Sequence, residues 1–170
     1  MMDNGNKKSF SSSIVYCPSS IVQIMADNKI RFFTVKEEHH ILTAIRQAEG
    51  VCSGEIRVFI EDKCPETVSK RTVEIFKNLK MFNTKQRNGV LIYIALTDRK
   101  FAVFGDEGIH QHLGFDFWRT EAGYLRDFFE QNMMVDGLCH VIKHLGDVMR
   151  PIFPHQDNDV NELPDEIVYG

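Results

Sequence analysis

Residues 88–108 read Asn88-Gly89-Val90-Leu91-Ile92-Tyr93-Ile94-Ala95-Leu96-Thr97-Asp98-Arg99-Lys100-Phe101-Ala102-Val103-Phe104-Gly105-Asp106-Glu107-Gly108. Val90 to Leu96 is an unbroken apolar run, rich in β-branched and aromatic residues and too short for an independent helix. It reads as a strand buried on both faces. Thr97-Asp98-Arg99-Lys100 is polar, and Asp98 favours a tight turn. Phe101 to Phe104 forms a second strand. So short a connection joins only antiparallel neighbours, so the pair is a hairpin. Folding back sets Gly105-Asp106-Glu107-Gly108 beside Arg87-Asn88-Gly89, at the end opposite the turn. Two glycine-bearing loops with acidic, amide and basic side chains meet there, and a site is expected at that sheet edge.

Upstream, Thr34 stands three residues before Glu37, the capping-box spacing, and Ile41, Leu42, Ile45 and Ala48 form one apolar stripe. Gly50 is placed to end this helix as a C′ residue. Gly54 to Glu61 alternates as a strand, with Ile56, Val58 and Ile60 on one face and Glu55, Arg57, Phe59 and Glu61 on the other. Arg57 is expected to pair with Glu55 and Glu61 along that face. Pro65 suits the first turn of a second helix whose stripe is Val68, Thr72, Ile75, Phe76 and Leu79. Strand, helix and the Val90 strand make a βαβ unit with parallel strands.

Downstream, Ile109 to Trp118 reads as a loop or short helix. A third helix is expected near Thr120 to Asn132, with Tyr124, Leu125, Phe128 and Phe129 inward. A fourth runs near Asp136 to Met149, with Leu138, Val141, Ile142, Leu145, Val148 and Met149 inward, and is stopped by Pro151 and Pro154. Residues 1–30 are rich in Ser and Asn, without a periodic apolar face, and read as a flexible extension; translation starting at Met25 is an alternative. Residues 155–170 read as an extended acidic tail. There is no internal repeat.

The 170 residues suit one domain with a sizeable core, and 43% hydrophobic with 26% charged residues is an ordinary globular composition. A net charge of −4 argues against a nucleic-acid or anionic-membrane surface. No apolar stretch approaches the roughly 20 residues of a membrane span, and Ile14 to Met25 is too polar for a secretory core. Cys17, Cys52, Cys64 and Cys139 lack CxxC spacing and read as reduced thiols, so a cytoplasmic protein is expected.

Phe32-Phe33-Thr34, Ser53-Gly54-Glu55-Ile56-Arg57-Val58, Arg87-Asn88-Gly89-Val90-Leu91, Lys100 to Ile109, Gly137-Leu138 and Asp159 to Ile167 occur in an order and spacing that resemble the TPM domain family, most closely its small soluble bacterial branch. The resemblance implies a TPM domain over residues 31–154. It implies an α/β fold: a three-layer α/β/α sandwich with a small mixed, mostly parallel sheet and one antiparallel hairpin. It also implies divalent-cation binding in some members. Plant thylakoid relatives are acid phosphatases linked to photosystem repair, and other relatives are membrane-anchored and act in assembly or signalling. Many relatives carry Asp where this chain has Asn88, which removes one anionic ligand here.

Asn88, Asp106 and Glu107 offer oxygen donors at one place, and Glu55 starts the neighbouring strand at the same sheet end. Such hard donors suit calcium or magnesium better than zinc. The hairpin turn, with Arg99 and Lys100 near Pro65-Glu66, is a poorer anion site because Glu61, Asp62 and Glu66 crowd it. His140 and His144 are four apart, the spacing of a two-histidine metal face, and read as structural for want of a third ligand. His110 and His112 flank the acidic loop; Phe115 and Trp118 read as core or lid residues. No nucleophile elbow, P-loop, zincin or dinucleotide motif is present. The combined reading is a cytoplasmic, monomeric module for interaction with a protein partner that binds calcium or magnesium through Asn88, Asp106, Glu107 and Glu55. The alternative is a slow metal-assisted phosphomonoesterase with Asp106 as its acid–base group.

Overall fold

The computed structural model describes residues 32–155 and 162–170, together with the backbone of three two-residue strands, β1 (Val15–Tyr16), β2 (Gln23–Ile24) and β3 (Ile30–Arg31). The remaining elements are α1 (Val35–Glu49), β4 (Glu55–Glu61), α2 (Val68–Asn78), a 3-10 turn (Met81–Asn83), β5 (Gly89–Ala95), β6 (Lys100–Gly105), α3 (Glu107–Glu130), α4 (Met134–Met149) and β7 (Ile167–Tyr169). The main sheet has the order β1-β6-β5-β4-β7, and β2 with β3 forms a separate pair. β4 and β5 run parallel, Glu55 level with Gly89, and β5 and β6 form the antiparallel hairpin, Val90 level with Gly105.

Alternation along the strands sorts the core into two layers. Ile56, Val58, Ile60, Val90, Ile92, Ile94 and Val103 pack against α1, α3 and α4. Phe59, Leu91, Tyr93, Ala95 and Ala102 pack against α2 and Met81. The sheet is thus the middle layer of an α/β/α sandwich. Both faces of β5 are buried throughout, which is why its sequence is a continuous apolar run rather than an alternating one.

Several local expectations change. Thr34 and Glu37 do form the capping box of α1, but Gly50 closes that helix with φ −66°, not in the left-handed C′ conformation. α2 begins at Val68 with Thr67 as N-cap, so Pro65 stands outside the helix. Arg57 does not pair along its own strand: its Nη1 donates to Glu166 at 3.2 Å, while Glu61 is taken by Arg71. The stretch expected as an acidic tail ends in β7, parallel to β4, with Val58 level with Ile167. Tyr169 of β7 donates its hydroxyl to Glu38 at 2.5 Å.

The largest change is at α3. It starts at Glu107, ahead of the stretch expected as a loop or short helix and well before Thr120, and is interrupted at Gly114, whose φ of 73° and ψ of 178° no other residue adopts without strain. The two glycines around Asp106-Glu107 signal a loop, yet they serve close packing. A Cβ on Gly105 would stand 2.1 Å from the Trp118 ring, and one on Gly108 would stand 2.1 Å from the Gln86 carbonyl oxygen. Among the described residues no helix is long and apolar enough to cross a membrane.

Candidate functional site

The hairpin does bring the 87–89 and 105–108 segments together: Asp106 N–H donates to the Gly89 carbonyl at 2.9 Å and Ile109 N–H to that of Arg87 at 3.3 Å. Asp106 is the N-cap of α3, and its Oδ1 accepts from the Glu107 N–H at 2.7 Å. A helix N-terminus favours a carboxylate there. Asp106 is 2% exposed, so its carboxylate is buried rather than open to solvent. Its charge is met by Arg87, whose Nε and Nη2 donate to Oδ2 at 2.5 Å and Oδ1 at 2.7 Å. This is a bidentate, charge-assisted pair. Arg87 holds a left-handed φ of 51°, its guanidinium lies 5.2 Å from the Phe82 ring centroid, and its side chain is 42% exposed. Asp106 in turn holds that guanidinium more firmly protonated.

The other expected ligands point elsewhere. Asn88 is buried, and its Nδ2 donates to the Ser53 carbonyl at 2.8 Å, toward the lead-in to β4 and away from β6. Its Oδ1 is buried with no hydrogen-bond partner among the described residues. Glu55 lies two strands from Asp106, roughly 10 Å at ordinary strand spacing. Its Oε1 accepts from the Glu162 N–H at 2.8 Å, and burial pushes its carboxyl up to about 7. Glu107 is exposed at the start of α3. The four residues share one sheet end, and Asp106 and Glu107 are brought together; Glu55 is not.

The histidines divide. Trp118 Nε1 donates to His110 Nδ1 at 3.0 Å, and the His112 ring meets Phe153 edge-on, so neither ring turns to Asp106. His144 Nδ1 lies 2.8 Å from Oε1 of Glu121. At the hairpin turn, Asp98 Oδ2 accepts from the Cys64 N–H at 2.8 Å and stands 3.9 Å from the Lys100 ammonium. Cys52 and Cys64 are buried, and the Sγ of Cys52 donates to the Ala48 carbonyl at 3.3 Å.

The profile of the TPM domain matches residues 27–148. The chain belongs to the TPM domain family. Among solved structures this TPM domain is similar to the BA42 protein of the psychrophilic bacterium Bizionia argentinensis, determined by NMR: 41% identity, TM-score 0.78, covering 82% of this chain and 97% of that one. It shares its fold with the N-terminal domain of a P. gingivalis protein at 15% identity and a TM-score of 0.58, covering 74% of this chain and 83% of that one. No curated protein matches.

The oxygen donors of this TPM domain suit a hard cation in kind, and the Asp106 carboxylate already holds a cationic group there, the Arg87 guanidinium. An ion at that place would be held by Asp106 and Glu107 once Arg87 turned away, while the Asn88 amide stays on Ser53. Among the described residues no three His, Cys, Asp or Glu side chains are grouped to hold a metal. Sequence reasoning missed Arg87 as the partner of Asp106, although its place next to Asn88 was a usable signal. It also missed Glu49. Oε1 of Glu49 accepts from the Ile56 N–H at 2.7 Å, its carboxyl meets that of Asp165, and burial pushes it up to about 9.

Proposed function

We propose that this TPM domain is a non-catalytic interaction module, cytoplasmic and monomeric, that takes calcium or magnesium weakly at Asp106 in exchange for Arg87. The Arg87–Asp106 pair carries the reading: both carboxylate oxygens are occupied by a half-exposed guanidinium. Such a carboxylate is built to hold positive charge rather than to move a proton. That is why the binding module stands above the phosphomonoesterase. With two carboxylates the site belongs to the weak end of calcium sites, roughly millimolar.

An NMR titration with Ca²⁺ and Mg²⁺ tests it. Shifts are expected at Arg87, Asn88, Gly105, Asp106 and Glu107, and Arg87→Gln should tighten binding at least about tenfold, because the competing charge is gone. No shifts in Arg87→Gln at tens of millimolar of either ion would remove the site. Metal-dependent turnover of an aryl phosphate, abolished in Asp106→Asn, would replace the binding module by the enzyme.

A further inference from the structure

The layer of α3 and α4 on the α1 face of the sheet carries a second arrangement, chemically unlike the first. Glu121 is fully buried, at 0% exposure, in the middle of α3. Its Oε1 meets His144 Nδ1 at 2.8 Å, and its Oε2 is buried with no hydrogen-bond partner among the described residues. The His144 side chain is 40% exposed. With Glu121 ionised, Nδ1 carries the proton and the lone pair of Nε2 is directed away from the carboxylate. This is how ligating histidines are oriented and made more basic. His140 stands one turn earlier on α4 and is exposed. The two imidazoles border the same Tyr124 ring, at 5.2 and 6.2 Å between centroids, so they share one face of the helix pair. Phe128 flanks His140 and Phe117 flanks His144, which limits the rotamers open to each ring.

We propose that His140 and His144 form a two-imidazole site for a late first-row divalent ion, copper, nickel or zinc, with Glu121 as its positioning residue. Imidazole pairs four apart on a helix present both nitrogens to one ion, and such donors select these metals over calcium and magnesium. Water completes the coordination on the exposed side. The arrangement also accounts for Glu121. A carboxylate buried with one oxygen unpartnered is costly, and a divalent charge across the His144 ring offsets it through the imidazole.

The test uses the untagged full chain and Zn²⁺ alone, read by calorimetry and by NMR of the imidazole nitrogens. One equivalent should shift the Nε2 signals of His140 and His144 and leave His39, His40, His110 and His112 in place. His140→Ala, an exposed position that leaves the Glu121 pair intact, should weaken binding at least about tenfold. Glu121→Gln keeps a hydrogen-bonding group beside His144 and should weaken it roughly 10–100-fold, the range for lost outer partners of ligating histidines. Rescue by Glu121→Asp is not expected, since the shorter side chain cannot reach Nδ1. Unchanged affinity in His140→Ala, or shifts at other histidines, would overturn the site. Unchanged affinity in a folded Glu121→Gln would overturn the role of Glu121.

Discussion

Glu49 gives the sharpest test of how the C-terminal segment is held. It sits at the end of α1 with its Oε1 on the Ile56 N–H, its carboxyl against Asp165, and Glu55 nearby. Burial, then these two anions, push its carboxyl up to about 9, so it is neutral in the folded protein at neutral pH. In the unfolded chain it is ionised. The folded state therefore binds one more proton, and stability falls as pH rises from above the unfolded value near 4.5 toward about 9. The slope is about 1.4 kcal/mol per pH unit for this one proton. Glu49→Gln keeps the acceptor for Ile56 and a donor for Asp165 but carries no proton to lose. Between about pH 6 and pH 8 it should gain about 2.7 kcal/mol on the wild type. For a domain of this size that is roughly 5–10 °C in melting temperature. Glu55 titrates identically in both proteins, so the difference isolates Glu49. The assay is thermal melting of both at several pH values in one buffer series. A difference that stays flat with pH would mean Glu49 is ionised in the folded state, and the reasoning about its contact with Asp165 fails.

Asp106→Asn should lower stability by about 1–3 kcal/mol, since the amide turns a donor toward Arg87 in a buried position; urea unfolding checks it, and an unchanged midpoint would mean the pair is ornamental. Gly108→Ala should cost about 1–3 kcal/mol, because the new methyl meets two backbone oxygens, those of Gln86 and Arg87, that cannot move aside. Gly114→Ala should cost about 1–3 kcal/mol through strain alone, its Cβ meeting nothing; a melting temperature equal to the wild type would show that α3 straightens instead.

The hairpin and the βαβ unit were legible because they rest on local signals: a continuous apolar run, a polar turn, and a helix with one apolar stripe between two strands. The start of α3 was not, because Gly105 and Gly108 read as loop formers when their role is to let Trp118 and the Gln86 carbonyl approach. β7 was hidden for a different reason. Ile167-Val168-Tyr169 is too short to announce a strand, and its partner is distant in sequence. At the candidate site, the meeting of the 87–89 and 105–108 segments was legible from strand geometry. The direction of each side chain was not, since Asn88 answers to Ser53 and Glu55 to Glu162, contacts that only the fold creates. Glu121 carried a signal that passed unread: a charged residue beside Ala122 and between Trp118 and Leu125, on the buried side of a helix.

The late arrival of β7 also gives the protein a timetable. Arg57 and Glu166, which join β4 to the segment that covers it, are 109 residues apart. A ribosome adding roughly 5–20 residues per second takes on the order of 5–20 s to cross that interval. Throughout that time the β4 edge, flanked by apolar Val58 and Ile60, waits beside a nascent chain without its cover. An open strand edge of that kind invites pairing with another chain. During synthesis the hazard for this protein therefore lies at β4 and is set by the speed of translation, so slow codons between residues 61 and 166 should raise aggregation more than slow codons elsewhere.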